Sequence, residues 1–325
     1  MLDSVKRTGQ VPVLVIFAPT ACGKTELALS LFANDANSPF AGKAEVISAD
    51  SMQVYKGLNV GTAKPDSDIT SRLPHHLIDV NHPSVPFSVG DFVRMADNLC
   101  LQIFKRGKIP VVLGGTGFYI RNFLLGLPKT PESDDKLRFA LKQRLEKEGS
   151  EVLYLELKKL DPESASRIHP NDHYRILRAL EVCTSSGKPR SSFENNLKLR
   201  TDFKFCTIIL HRERQELYQR INLRVEQMFR LGLPEEVENL VASGCTPDMP
   251  GMQAIGYREF FDNSLKLFNS KQERLDVIKQ AICQNSRRYA KRQYTFVKGI
   301  PEATSFFAED REGIEKYIFS NLLLT

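Results

Sequence analysis

Two short apolar runs, Val11 to Phe17 and Ala44 to Ser48, open the patterned part of the chain. Runs of this length bounded by turn residues predict buried strands. Ile109 to Leu113 repeats the pattern and ends at Gly114-Gly115-Thr116-Gly117. Leu77 to Val80 predicts a further short strand, and Phe203 to Leu210 a later one. Between them the spacing turns helical, first over about 24–34 and then from Ser88-Val89-Gly90-Asp91 to about Arg106. The latter start is a capping box, and Gly107 with Pro110 beyond supplies the stop. Strands separated by helices imply a parallel sheet with helices on both faces.

From 126 to 197 the strand signal vanishes. Leu127-Pro128-Lys129-Thr130-Pro131 reads as a hinge, followed by helices at about 134–148, 151–160 and 172–185, the last stopped by Gly187-Lys188-Pro189. Asp161-Pro162 and His169-Pro170-Asn171-Asp172 read as helix starts and turns. The C-terminal part is again helical, near 213–231, 234–243 and 271–293. The organisation expected is an α/β core of 1–125 and 198–325, interrupted by an all-helical insertion of 126–197.

Composition narrows the class. Apolar content of 42% with 26% charged residues is that of a soluble globular protein, and no apolar run is long enough to span a membrane. The net charge of +6, from 45 basic against 39 acidic residues, permits a nucleic-acid partner without demanding one. Cys22, Cys100, Cys183, Cys206, Cys245 and Cys283 are scattered with no CxxC pair. That argues against structural zinc and fits a reducing cytoplasm. Arg287, Arg288, Lys291 and Arg292 cluster beside Tyr289 and Tyr294, as either a solvated face or a polyanion contact.

The first candidate chemistry lies between the first strand and the first helix, at Ala18-Pro19-Thr20-Ala21-Cys22-Gly23-Lys24-Thr25. Strand, tight turn, lysine, hydroxyl and helix come in the order that builds a phosphate cradle. Backbone N–H groups and the positive end of the helix face the anion. Lys24 adds a point charge, and the Thr25 hydroxyl is placed to hold Mg²⁺. The motif GxxxxGK[ST] is met except at its first position, where Ala18 stands for glycine. An alanine forced there to positive φ is expected to cost ~1 kcal/mol, which a variant P-loop survives. Pro12, Pro19 and the Gly-Lys-Thr that follows argue against reading Lys6, Arg7 and the apolar run as an export signal.

Asp50, at the end of the second strand, is open to three readings: general base, Mg²⁺ ligand or turn cap. Thr116 contacts a ligand or forms a turn, and its flanking glycines favour close backbone approach. His75, His76 and His82 invite a metal reading, but adjacent histidines on a strand point to opposite faces. Asp50, Thr116 and the P-loop all fall at carboxyl ends of strands, where parallel sheets bind their ligands.

These blocks carry a resemblance. Pro19 to Thr25, Ile47-Ser48-Ala49-Asp50-Ser51-Met52-Gln53-Val54-Tyr55-Lys56-Gly57-Leu58 and Gly61-Thr62-Ala63-Lys64-Pro65 resemble the tRNA dimethylallyltransferases. So do Pro74-His75-His76-Leu77-Ile78-Asp79, Gly114-Gly115-Thr116, Ile168-His169-Pro170-Asn171-Asp172 and Arg178-Ala179-Leu180-Glu181. Gln253-Ala254-Ile255-Gly256-Tyr257-Arg258 and Ala290-Lys291-Arg292-Gln293 complete a match over about 11–298.

The resemblance implies a P-loop NTPase-like α/β fold. It also implies transfer of a dimethylallyl group from dimethylallyl diphosphate to N6 of the adenosine just 3′ of the anticodon, in tRNAs reading codons that begin with U. Lys24, Mg²⁺ on Thr25 and Arg220 would neutralise the departing diphosphate. Asp50 matches the family's general base, and Thr116 a residue beside the reacting centre. The family's tRNA contacts fall on Asp50, Ser51, Met52, Gln53, Thr116, Arg138, Tyr174, Arg175, Ile176, Leu177, Arg178, Gln253, Ala254, Ile255, Gly256, Tyr257 and Arg258. The helical insertion would clamp the anticodon stem-loop of a cytoplasmic, monomeric enzyme. Cys22 replaces the family's usual Ser or Gly, which places an oxidisable thiol in the loop. Two other readings use the same residues: a nucleoside or small-molecule kinase with ATP at the P-loop, and a tRNA-binding protein without catalysis.

Overall fold

Strand β1 (Val11–Phe17) is the middle of the molecule because both of its faces are apolar. Leu14 and Ile16 enter one hydrophobic cluster, while Val13, Val15 and Phe17 enter another. A strand buried on both sides needs helices on both sides. The structure is a computed structural model, and it describes residues 10–193, 198–262, 270–297 and 299–323.

Strands β2 (Ala44–Ser48), β3 (His75–His76), β4 (Ile109–Gly114), β5 (Phe203–His211) and β6 (Ala303–Phe307) complete a six-stranded sheet of order β3-β2-β4-β1-β5-β6. All pairings are parallel, with Leu14 opposite Val111 on one side and Cys206 on the other. Helix α1 (Lys24–Phe32) packs Leu27, Leu31 and Phe32 on the Leu14 face. The small α2 (Ser67–Arg72) caps on Asp66. Helices α3 (Val89–Lys105) and α4 (Gly117–Leu125) cover the Val15 face with Phe92, Ala96, Ile103, Ile120 and Phe123. The Ser88/Asp91 capping box is present at the start of α3.

Compact units divide at Gly126/Leu127 and at Leu197/Lys198. The unit Leu127–Leu197 holds α5 (Asp135–Glu148), α6 (Ser150–Leu160), α7 (Pro162–Arg167) and α8 (His173–Ser186) around Leu141, Leu153, Leu157, Ile176 and Leu180. Two buried carboxylates tie it internally. Asp161 accepts from the N–H groups of Ser164 and Ser191 at 2.9 and 2.8 Å, and Glu181 accepts from Ser133 Oγ at 2.6 Å.

In the larger unit, α9 (Arg214–Arg230), α10 (Leu233–Ala242) and α11 (Lys271–Val297) join the loop after β2 in a third cluster. Its members include Val54, Leu58, Val225, Met228, Tyr257 and Ile282. Gly61 lets the Tyr257 ring pass: a Cβ there would lie 2.5 Å from Tyr257 Cε2. Helix α12 (Arg311–Ile318) closes the described chain with a further short turn.

Two expectations need correction. Residues 77–80 are not a strand, because Leu77 and Asp79 hold φ of 61° and 53° and break any extended run. The sheet pairs one step earlier, at His75 and His76. The C-terminal part is not purely helical. Ala303–Phe307 adds an edge strand whose small and polar residues give a weak hydrophobic signal. Asp161-Pro162 does start a helix, Pro162–Arg167, capped by the Asp161 side chain.

Candidate active site

The loop after β1 is fixed from several directions. The Ala18 N–H donates to the Gly114 carbonyl at 3.1 Å. Thr20 N–H donates to Gln293 Oε1 at 3.0 Å. Arg220 Nε donates to the Ala21 carbonyl at 3.0 Å and Arg212 Nε to the Cys22 carbonyl at 3.2 Å. Arg212 also pairs with Glu216 and Glu309, and Arg220 bonds both oxygens of Glu26 at 2.8 Å. With the Ala18, Thr20 and Cys22 N–H groups spent within the protein and the Ala21 and Cys22 carbonyls held by arginines, the amides at the start of α1 are the ones left for an anion.

Ala18 is not where the backbone is unusual. It lies in the buried core, and the positive φ values fall on Ala21 at 61° and Gly23 at 103°. The strain expected at Ala18 is therefore absent there and belongs to Ala21. Gly23 suits its place because φ of 103° is one that L side chains rarely adopt, and a Cβ would also crowd Arg212 Nη2 and Glu26 Oε2 at 3.3 Å. Cys22 also differs from expectation. Its thiol is buried, and that burial pushes its pKa up to about 11, which removes the thiolate that oxidation needs.

Lys24 begins α1 with no hydrogen-bond or ion-pair partner among the described residues. Burial and the neighbouring Arg224 charge hold its pKa below the ordinary lysine range, while the Asp50 charge opposes them. An ammonium held short of compensation gains most from an arriving phosphate. The Thr25 hydroxyl is likewise without a partner among the described residues. Among these residues no group of three or more His, Cys, Asp or Glu could hold a metal ion. A single hydroxyl fits an Mg²⁺ that keeps waters and takes its other ligands from phosphate. His75, His76 and His82 bond to Leu73 O, Glu45 and Ser84 respectively, so they do not converge.

At the end of β2, Asp50 uses one oxygen as a turn cap. Its Oδ1 accepts from Met52 N–H at 2.9 Å and Gln53 N–H at 3.4 Å. Its Oδ2 has no partner among the described residues. Thr116 stands at the N-cap position of α4 but does not cap that helix. Its Oγ1 instead accepts from Ser51 N–H at 3.0 Å, beside Asp50. Tyr289 lies against Thr116 and Gln293, and burial with the Asp50 charge pushes its phenol up to about 12.

A cleft of about 260 Å³ reaches Thr20, Asp50 and Tyr289, while Lys24, Thr25 and Thr116 stand outside its lining. Thr20, Asp50, Ser51, Thr62, Arg224, Arg258, Tyr289 and Arg292 give it a polar part. Met52, Ile221, Val225, Met228, Ala254, Ile255 and Ile282 give it an apolar one. Arg220 does not line it. Arg224, one turn further along α9, does, donating to the Thr62 carbonyl at 3.2 Å. Sequence reasoning missed Arg224, although its i, i+4 spacing from Arg220 puts it on the same helix face.

The expected tRNA contacts separate by burial. Gln53 is buried, and its amide is consumed by Thr62 O, Ala63 O and Ser48 Oγ. Tyr257 is fully buried, with its hydroxyl donating to Glu236 and accepting from Gly61 N–H. Gly256, at φ 103°, gives its N–H to Glu259. Ile176 and Leu177 are core positions of the helical unit. The side chains of Gln53, Tyr257, Ile176 and Leu177 are buried, and the other expected positions lie at the surface or in the cleft. Tyr174 is 75% exposed, and Arg175 is exposed beside Asp172. Arg138 and Arg178 both turn toward Glu181, while Gln253, Ala254, Ile255 and Arg258 line the cleft.

Comparison with known proteins agrees with this geometry. Residues 53–299 match the family model described as IPP transferase. The tRNA dimethylallyltransferase of Geobacter sulfurreducens is 40% identical over 290 residues, covering 89% of each chain. That of Geobacillus thermodenitrificans is 41% identical over 320 residues, 96% of this chain and 98% of its own. The tRNA isopentenylpyrophosphate transferase of Bacillus halodurans superposes with a TM-score of 0.66 at 34% identity, over 96% of this chain and 97% of that one. A eukaryotic dimethylallyltransferase, solved in snapshots of its action on tRNA, gives 0.74 at 29% identity over 95% of this chain and 76% of its own. With the loop, the acid at the end of β2 and the sheet order all in place, the chain belongs to the IPP transferase family, among the tRNA dimethylallyltransferases.

Proposed function

We infer that this protein transfers a dimethylallyl group from dimethylallyl diphosphate to N6 of the adenosine 3′ of the anticodon in tRNAs reading codons that begin with U. The observation that carries the reading is the pairing, at the carboxyl ends of β1 and β2 on either side of β4, of an anion cradle holding an unpartnered Lys24 with a carboxylate that keeps one oxygen free. The N6 lone pair attacks the allylic carbon, the carbon–oxygen bond breaks, and diphosphate leaves with the bonding electrons. Asp50 Oδ2 takes the N6 proton, which matters because that amine is a weak nucleophile. Lys24, the loop amides and Arg224 carry the charge that develops on the leaving group, with Arg220 fixing the loop from outside. The Thr25 hydroxyl would help hold a Mg²⁺, which would add positive charge on the leaving group. Thr116 orients Ser51 and the turn beside Asp50.

The RNA meets Tyr174 and Arg175 of the helical unit, the cleft residues Gln253 and Arg258, and the basic stretch of α11. The adenine leaves its stack to enter the cleft. The enzyme acts as a monomer in the cytoplasm. Incubation with unmodified tRNA, Mg²⁺ and dimethylallyl diphosphate, followed by digestion to nucleosides, yields prenylated adenosine. Absence of that product, with turnover of ATP in its place, would assign the cleft to a kinase.

A further inference from the structure

Two adjacent residues of α11 hold the diphosphate loop. Gln293 is buried, its Oε1 accepting from Thr20 N–H at 3.0 Å and its Nε2 donating to the Gly115 carbonyl at 2.7 Å. A carboxamide both donates and accepts, so one side chain bridges the loop after β1 to the turn after β4. Gly115 makes the room. A Cβ there would collide with Gln293 Nε2 and lie 3.1 Å from the Ala18 carbonyl. The Tyr294 hydroxyl accepts from Arg212 N–H at 3.2 Å, and Arg212 in turn holds the Cys22 carbonyl. The bridged turn carries Thr116, which bonds the backbone next to Asp50. The leaving-group side and the proton-accepting side of the cleft are thus joined through one amide.

We propose that Gln293 is a positioning residue that locks the diphosphate loop to the Gly115–Thr116 turn and so sets the separation between the departing diphosphate and Asp50. The proposal rests on reading the cleft as the prenyl-transfer site. It assigns Gln293 no contact with either substrate. Its loss leaves both half-sites present but free to shift, and small misplacements of reacting groups cost rate steeply.

The test uses Gln293→Met, which keeps length and approximate volume but neither donates nor accepts strongly, and Gly115→Ala, which reaches the same bridge from the other side. Affinity for inorganic diphosphate with Mg²⁺, affinity for tRNA, kcat and KM for dimethylallyl diphosphate, and Tm are measured on the full chain. The expected result for Gln293→Met is about tenfold weaker diphosphate binding and about tenfold lower kcat. Affinity for tRNA stays within about twofold. Gly115→Ala should cost about as much alone, yet less than about twofold more when added to Gln293→Ala, because the collision with Gln293 Nε2 is then gone and only the milder approach to the Ala18 carbonyl remains. Diphosphate affinity and kcat unchanged in Gln293→Met, additive losses in the double variant, or diphosphate and tRNA affinities falling together with Tm would each overturn the proposal. Wild-type protein that binds diphosphate but prenylates no tRNA would overturn the function instead, and diphosphate binding alone would still decide the bridge.

Discussion

Glu181 in the helical unit and Asp50 in the α/β unit are both carboxylates set among arginines, and they are used in opposite ways. Glu181 is 1% exposed, accepts from Ser133 Oγ, Asp134 N–H and Arg138, and is ion-paired with Arg178. Both its oxygens are engaged, and the group ties the start of α5 to α8. Asp50 spends one oxygen on its own turn and keeps the other for the cleft, with Lys24 and Arg224 as electrostatic neighbours. A saturated carboxylate holds a fold together, whereas a half-saturated one has a lone pair to offer a proton. The same residue types therefore separate structure from chemistry only when their partners are counted.

Removing the free oxygen is the strongest way to break this contrast. Asp50→Asn keeps shape and the turn cap but cannot accept the proton, so single-turnover prenyl transfer should slow by ~10²–10⁴-fold. Diphosphate affinity should change little, whereas Lys24→Ala should weaken it together with the rate. A rate for Asp50→Asn within a few-fold of wild type would make Asp50 a cap and nothing more. Glu181→Ala should do the reverse. Stripping the acceptor from two half-buried arginines should cost about 2–3 kcal/mol of stability, read by urea unfolding, while diphosphate affinity of the folded fraction is unaffected.

Asp161 sharpens the comparison through pH. Its hydrogen bonds from Ser164 and Ser191 outweigh burial and hold its pKa at about 2, below the ordinary 3.8. A depressed carboxyl stabilises the fold above its unfolded pKa and loses that contribution as pH falls through about 4 to 2. The contribution is about 2 kcal/mol, and in Asp161→Asn this part of the acid dependence should disappear from the unfolding curve. The smallest effect concerns the loop alanines. Ala21→Gly should be neutral or stabilising by up to about 1 kcal/mol, since it relieves φ of 61°. Ala18→Gly should destabilise by about 1 kcal/mol, because it loosens a buried, ordinary backbone. Thermal melts that reverse this order would place the strain back at Ala18.

Strands β1 and β2, helix α1 and the capping box of α3 were legible because each is a local pattern: a continuous apolar run, or a cap with its box. The edge strand β6 was not, since Ala303-Thr304-Ser305 has no apolar period and is made a strand by its neighbour β5. Leu77 and Ile78 looked like a strand because apolar content does not report φ. At the site, the P-loop and Asp50 could be read from motif and position. Arg224 and Gln293 could be named as residues of a helix, but their targets lie in other elements and only the fold brings them together. Burial likewise decided which of the expected RNA contacts face outward, as Gln53 and Tyr257 show.

The staples of the diphosphate loop have a consequence for how the protein is made. Thr20 and Gln293 lie 273 residues apart, Arg220 and Ala21 199, and Arg212 and Cys22 190. On a ribosome adding about 5–20 residues per second, the loop emerges roughly 14–55 s before its last staple. During that interval the nascent polypeptide carries the anion-binding sequence without the Gln293 bridge that positions it. The staples arrive in order, Arg212 and Arg220 first and Gln293 last, so the final placement of the loop waits for α11 to be made.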